Sequence, residues 1–184
     1  LMETEIWPNL FAAAAAARIP VGLANARLSP RSATGYRRFG ALAGPAFDVF
    51  FDARQQVDLF DDVLPALARL AARWPVVALT NGNADVHRVP GLGRHFHGML
   101  SARDLGLAKP ASAVFGAACQ LASAAPGHSL HVGDDPALDV DGALAAGLQA
   151  AWVRRPALPD IGAPTGVPHH VVASLTELAD RLGV

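Results

Sequence analysis

From about Val57 onward, short continuous apolar runs alternate with stretches whose apolar residues recur at helical spacing. Val76-Val77-Ala78-Leu79, Leu130-His131-Val132 and Ala150-Ala151-Trp152-Val153 read as buried strands, with weaker ones at Met99-Leu100 and His170 to Val172. Between them, Leu64, Leu67, Leu70 and Ala71 make one apolar helix face, which Asp61-Asp62 can cap and Trp74-Pro75 ends. A helix-like stretch punctuated by Gly91 and Gly93 comes next, then helices over Ala111–Ala124 and Pro136–Ala146, each opening near a proline. A last helix has Ser174 as its cap, with Glu177 three residues on. Continuous apolar strands separated by helices predict an α/β core over residues 58–184, its parallel sheet covered by helices on both faces.

Residues 1–57 have a different texture. Phe11 to Arg18 is alanine-rich and helical, Pro20, Ser29-Pro30 and Gly44-Pro45 break the chain, and no alternating strand signal appears. Phe47-Asp48-Val49-Phe50-Phe51-Asp52 reads either as a buried strand ending in a carboxylate or as a helix running toward Val57, and the spacing favours the helix. The segment is expected to be a helical lobe.

Composition narrows the classes. The 184 residues carry 15 Lys and Arg against 16 Asp and Glu, so no basic footprint for nucleic acid shows. The longest apolar stretch, Leu10 to Ala17, is far short of the roughly 20 residues that span a bilayer, and no secretory leader is visible. Cys119 is the sole cysteine, which excludes a disulfide framework and a thiolate metal cluster. A cytoplasmic protein is expected.

Three polar segments follow or adjoin the predicted strands. At Thr80-Asn81-Gly82, a hydroxyl and backbone N–H groups can hold an oxyanion, or the stretch is an ordinary turn with Thr80 capping the next helix. Lys109, before Pro110, can point to the same edge or stand in solvent. Asp134, Asp135, Asp139 and Asp141 follow Gly133, and carboxylates crowded there would repel one another without a cation. Asp135 can equally serve as an N-cap. Both readings stay open.

In order and spacing, Ala-Leu-Thr-Asn-Gly-Asn, Gly-Leu-Ala-Lys-Pro and His-Val-Gly-Asp-Asp-Pro-Ala-Leu-Asp-Val resemble motifs two, three and four of the haloacid dehalogenase-like (HAD) hydrolases, over roughly Val57 to Arg155. The wording around them is similar to bacterial flavin-pathway phosphatases of the 5-amino-6-(5-phosphoribitylamino)uracil type. The resemblance implies a Mg²⁺-dependent phosphatase acting on a small phosphorylated metabolite, with a Rossmann-like core and, over 1–57, part of a helical cap. It implies that Thr80 binds the transferring phosphoryl group, with Asn81 and Gly82 beside it. Lys109 would stabilise nucleophile and phosphate, Asp134 and Asp135 would hold Mg²⁺, and Asp139 would orient Lys109 and the cluster. A 2-haloacid dehalogenase and a degenerate phosphate-binding domain are the alternatives.

The family's first motif, a strand ending Asp-x-Asp that carries the nucleophile, does not occur. Its nearest imitation, Phe50-Phe51-Asp52-Ala53-Arg54, has arginine where the second carboxylate belongs. In the family that strand lies between those bearing Thr80 and Asp134. Its loss would leave a slot about 10 Å wide, twice the strand spacing. We therefore expect natural sequence upstream of Leu1. His131 is expected to be packed or hydrogen-bonded rather than a ligand, and Cys119 to be core. His95 and His97 lack acidic or cysteine partners at zinc spacing, and His169-His170 reads as a surface pair leading into a strand.

Overall fold

In the computed structural model the residues described are 57–82, 84–156, 158 and 161–184. The chain divides into two units, residues 1–57 and 58–184. The expected cap portion and Phe47–Asp52 lie outside the described residues.

The apolar runs form five strands: β1 (Val77–Thr80), β2 (Gly98–Ser101), β3 (Leu130–Gly133), β4 (Gln149–Val153) and β5 (His170–Val172). All pairings are parallel, as the intervening helices require. Among the described residues they make two sheets, β1–β2 and β3–β4–β5, with no strand joining β1 to β3. Burial follows that division. β4, flanked on both sides, is buried from Ala150 to Val153, whereas β1 and β3 are only half-buried along their whole length.

The period of two along β4 sorts its residues between two cores. Ala150 and Trp152 pack with Val114, Phe115 and Cys119 of α3 (Ser112–Leu121) and with Val140 and Ala143. Ala151 and Val153 pack with Val172 and with Leu178 of α5 (Leu175–Arg181). Helices therefore cover both faces, and Cys119 is core as expected.

The remaining helices are α1 (Val63–Arg73), α2 (Ala102–Leu105) and α4 (Gly142–Ala145), with a π-helical turn over Pro136–Asp141 leading into α4. Two expectations need correction. The stretch after Gly82 is turns ending in a single 3-10 turn at Gly93–His95, because Pro90 and a left-handed Gly91 interrupt it. Asp61-Asp62 does not cap α1 through a side chain. The Asp62 carboxylate instead takes both guanidinium arms of Arg155, at 2.9 and 3.0 Å, and the Leu175 N–H at 2.7 Å. It thereby ties together the start of α1, the end of β4 and the start of α5. The short α2 was not legible in the apolar pattern, yet Ser101 and Asp104 cap it reciprocally.

Asp62→Ala should lower the unfolding free energy by about 1–3 kcal/mol, because a guanidinium and a backbone N–H lose their acceptor together. Urea denaturation checks this against Asp61→Ala, which alters an exposed residue and should change stability by less than about 0.5 kcal/mol.

Candidate active site

Parallel strands deliver the residues that follow them to one edge of a sheet. Thr80 ends β1, Gly133 ends β3, and Lys109 lies in the loop between α2 and α3. That loop starts where α2 stops, at a left-handed Gly106, and continues to a cis Lys109–Pro110 bond. Asn81 fixes it from the other side. Its Oδ1 accepts from the Lys109 N–H at 2.7 Å and its Nδ2 donates to the Lys109 carbonyl at 3.0 Å.

So held, the Lys109 ammonium bridges the two sheets. It donates to the Leu79 carbonyl on β1 at 3.3 Å and to Asp139 Oδ1 at 2.6 Å. The Asp139 carboxylate is almost fully enclosed, its side chain 6% exposed, and it also meets His131 Nε2 at 3.1 Å and the Asp135 N–H at 3.1 Å. Burial alone would raise its carboxyl. Hydrogen bonds from His131 and Lys109, with their charge, outweigh burial and hold it well below the usual carboxylate range. Asp139 fits there because residue 133 is glycine: any Cβ at that position would overlap the Asp139 carboxyl.

The other sequence-predicted residues divide. Thr80 Oγ1 accepts from the Gly82 N–H at 2.9 Å, which closes a turn and leaves the hydroxyl proton to donate. Asp135 is an N-cap, its Oδ1 taking the Ala137 and Leu138 N–H groups at 2.9 and 2.8 Å. The Asp134 side chain is exposed and, among the described residues, has no hydrogen-bond partner. Its carbonyl is pinned by the Trp152 indole N–H at 3.0 Å. Asp141 leaves the cluster: its carboxylate is taken by Thr165 and Gly166. Three carboxylates, Asp134, Asp135 and Asp139, therefore share the edge with one lysine. Among the described residues no group of three or more His, Cys, Asp or Glu side chains converges as a ready-made metal cage.

Residues 106–178 match the family model described as HAD-hydrolase-like. Over 101 residues the chain is 41% identical to the 5-amino-6-(5-phospho-D-ribitylamino)uracil phosphatase YigB of Escherichia coli (strain K12), covering 55% of this chain and 42% of that protein. It is 35% identical over 118 residues to a phosphoserine phosphatase of Thermus thermophilus, covering 61% and 47%. Among solved structures it is similar to a 2-haloacid dehalogenase from Pseudomonas syringae pv. Tomato DC3000, with TM-score 0.72, 36% identity and coverage of 79% and 62%. The chain carries a HAD-like hydrolase domain. The magnesium-bound HAD-hydrolase YfnB from Bacillus subtilis shares the fold at 21% identity and TM-score 0.64, covering 97% of this chain and 80% of that one. The chain spans about half the length of the curated relatives it matches. A second family model, described as 3-deoxy-D-manno-octulosonic-acid transferase (kdotransferase), matches residues 1–58.

His131 is both packed, against Phe115, and hydrogen-bonded, to Asp139, within what was expected of it, but sequence reasoning did not name its partner and read Trp152 only as strand. The signal for His131 was its place three residues before Asp134 on an otherwise apolar strand. Trp152 gave no signal short of the strand register, which pairs it with Gly133.

Two outcomes follow from the Asp139 geometry. Gly133→Ala should destabilise the domain by about 1–3 kcal/mol, read by urea unfolding, because neither backbone nor carboxyl can yield cheaply. Asp139 titrates lower folded than unfolded, so its contribution is complete above the ordinary value of 3.8 and is lost as pH falls below it. Stability measured from pH 6 to pH 3 should therefore fall more steeply in the wild type than in Asp139→Asn.

Proposed function

We propose that this chain is part of a cytoplasmic Mg²⁺-dependent phosphatase that hydrolyses a small phosphorylated metabolite through an aspartyl-phosphate. The observation that carries the reading is the Lys109 ammonium, held between the end of β1 and Asp139. It sets a positive charge beside the Thr80 hydroxyl's strand end, where a phosphoryl group needs both a cation and a donor. Thr80 donates to a phosphoryl oxygen and Lys109 draws the anion in. Asp139 keeps Lys109 aimed, and the Asn81 amide acts by holding the lysine loop rather than by touching substrate. The nucleophilic aspartate is assigned to a strand outside this chain that enters between β1 and β3.

The donor set suits Mg²⁺. Its ligands are hard oxygens, it is usually bound through one or two carboxylates plus the substrate phosphate, and the edge has carboxylates in excess over cations. Asp134, with Asp135 beside it, would hold the ion. When bound, it supplies charge for the oxygens of the transferring group.

Two observations favour second readings. The likeness to a 2-haloacid dehalogenase supports carbon–halogen hydrolysis on the same fold, against which stands the acidic Gly-Asp-Asp segment, which needs a cation. The kdotransferase match over residues 1–58 supports a glycosyltransferase-like segment there in place of part of a cap. It ends where the second unit begins.

The test is release of phosphate from a generic aryl phosphate by residues 1–184 alone and by the same chain extended upstream in its reading frame. We expect no turnover from the first, and from the second an activity abolished by EDTA and lowered about 10²-fold or more by Thr80→Ala or Lys109→Met. Chloride release from 2-chloropropionate that survives EDTA, without phosphate release, would overturn the reading.

A further inference from the structure

We propose that His131 is a positioning residue: it fixes the Asp139 carboxylate and, through it, the Lys109 ammonium. The inference deepens the phosphatase reading and rests on it for the use to which Lys109 is put. Its geometry stands separately. Asp139 Oδ1 meets both Lys109 Nζ and His131 Nε2, at 2.6 and 3.1 Å, while Oδ2 takes the Asp135 N–H. An ionised carboxylate carries no hydrogen, so Nε2 must be the donor in that contact.

The three side chains differ in how firmly they are anchored. His131 sits on β3, paired in register with Ala150 of β4, and its ring stands edge-on to the fully buried Phe115 at 5.0 Å and 88°. Asp139 lies in a π-helical turn, an irregular element, and Lys109 ends a flexible four-carbon stem. Of the three, only the histidine is carried on a paired strand. The fixed group therefore holds the loose ones, and a side chain of similar bulk without a donor would pack against Phe115 yet leave Asp139 to swing.

Lys109 is the chain's only lysine, which makes its ε-amine individually readable. In the full 184-residue chain, acylation by an amine-reactive ester, followed by peptide mass mapping, reports the exposure of that one nitrogen. His131→Gln keeps an amide N–H near the position of Nε2. His131→Asn is too short to offer it. With both variants matching the wild type in near-ultraviolet circular dichroism, Lys109 should label about fivefold faster in His131→Asn and within about twofold of wild type in His131→Gln. Equal rates in the two variants would overturn the proposal, and so would a wild-type rate in His131→Asn.

The phosphatase reading is tested in the same experiment by inorganic phosphate with Mg²⁺, which should protect Lys109 in the wild type. Loss of that protection with the Gln/Asn difference intact counts against the reading and leaves the positioning role standing.

Discussion

Lys109 and Asp139 are 30 residues apart in sequence and 2.6 Å apart in space, with side chains 13% and 6% exposed. Enclosing two charges that far is unfavourable unless they are paired and their remaining hydrogen-bonding capacity is met. The local structure meets it on every side. His131 and the Asp135 N–H satisfy the carboxylate, and the Leu79 carbonyl takes a further ammonium hydrogen. Gly133 gives up its side chain so that the carboxyl can lie against the β3 backbone. Asn81 grips the backbone of the lysine itself. Each arrangement follows from the need to keep one buried ion pair intact.

That pair also lies where the sheet is divided. β1–β2 and β3–β4–β5 are separate parallel sheets among the described residues, and the Lys109 side chain reaches from the carbonyl of Leu79 on one to the carboxylate that packs on the end of the other. The half-burial of β1 and β3, beside a well-buried β4, is what two strands show when each lacks a neighbour on one edge. A clamp at the Asp62 end, where Arg155 and Leu175 meet one carboxylate, holds α1, β4 and α5 together independently of the site. The edge that carries Thr80, Lys109 and Asp139 and the frame behind it are therefore secured by two different carboxylates, Asp139 buried and Asp62 half-buried.

The strands were legible because continuous apolar runs bounded by Gly, Pro and polar turns have few other uses. The place of α3 was legible, though the helix stops at Leu121 rather than Ala124, and so was the start of α5, where Ser174 accepts from the Glu177 N–H as expected. The segment after Gly82 misled, since apolar residues at helical intervals cannot outweigh Pro90 and a left-handed Gly91. Within the site, the order of Thr80, Lys109 and Asp139 could be read from the sequence. The capping by Asp135 was one of two readings left open, and the turn of Asp141 to the Thr165 loop could not be read, because a carboxylate's partner is set by tertiary geometry. The acid partner of His131 went unread for the same reason: a histidine in an apolar strand marks its own position but not the carboxylate it faces.

The order of this edge depends on the Lys109–Asp139 pair acting as a coupled unit. A double-mutant cycle with Lys109→Met and Asp139→Asn, followed by urea unfolding of the full chain at neutral pH, measures this directly. We predict that each single change destabilises the domain and that the double change falls short of their sum by about 1–3 kcal/mol. Additive effects, with no coupling beyond error, would contradict it.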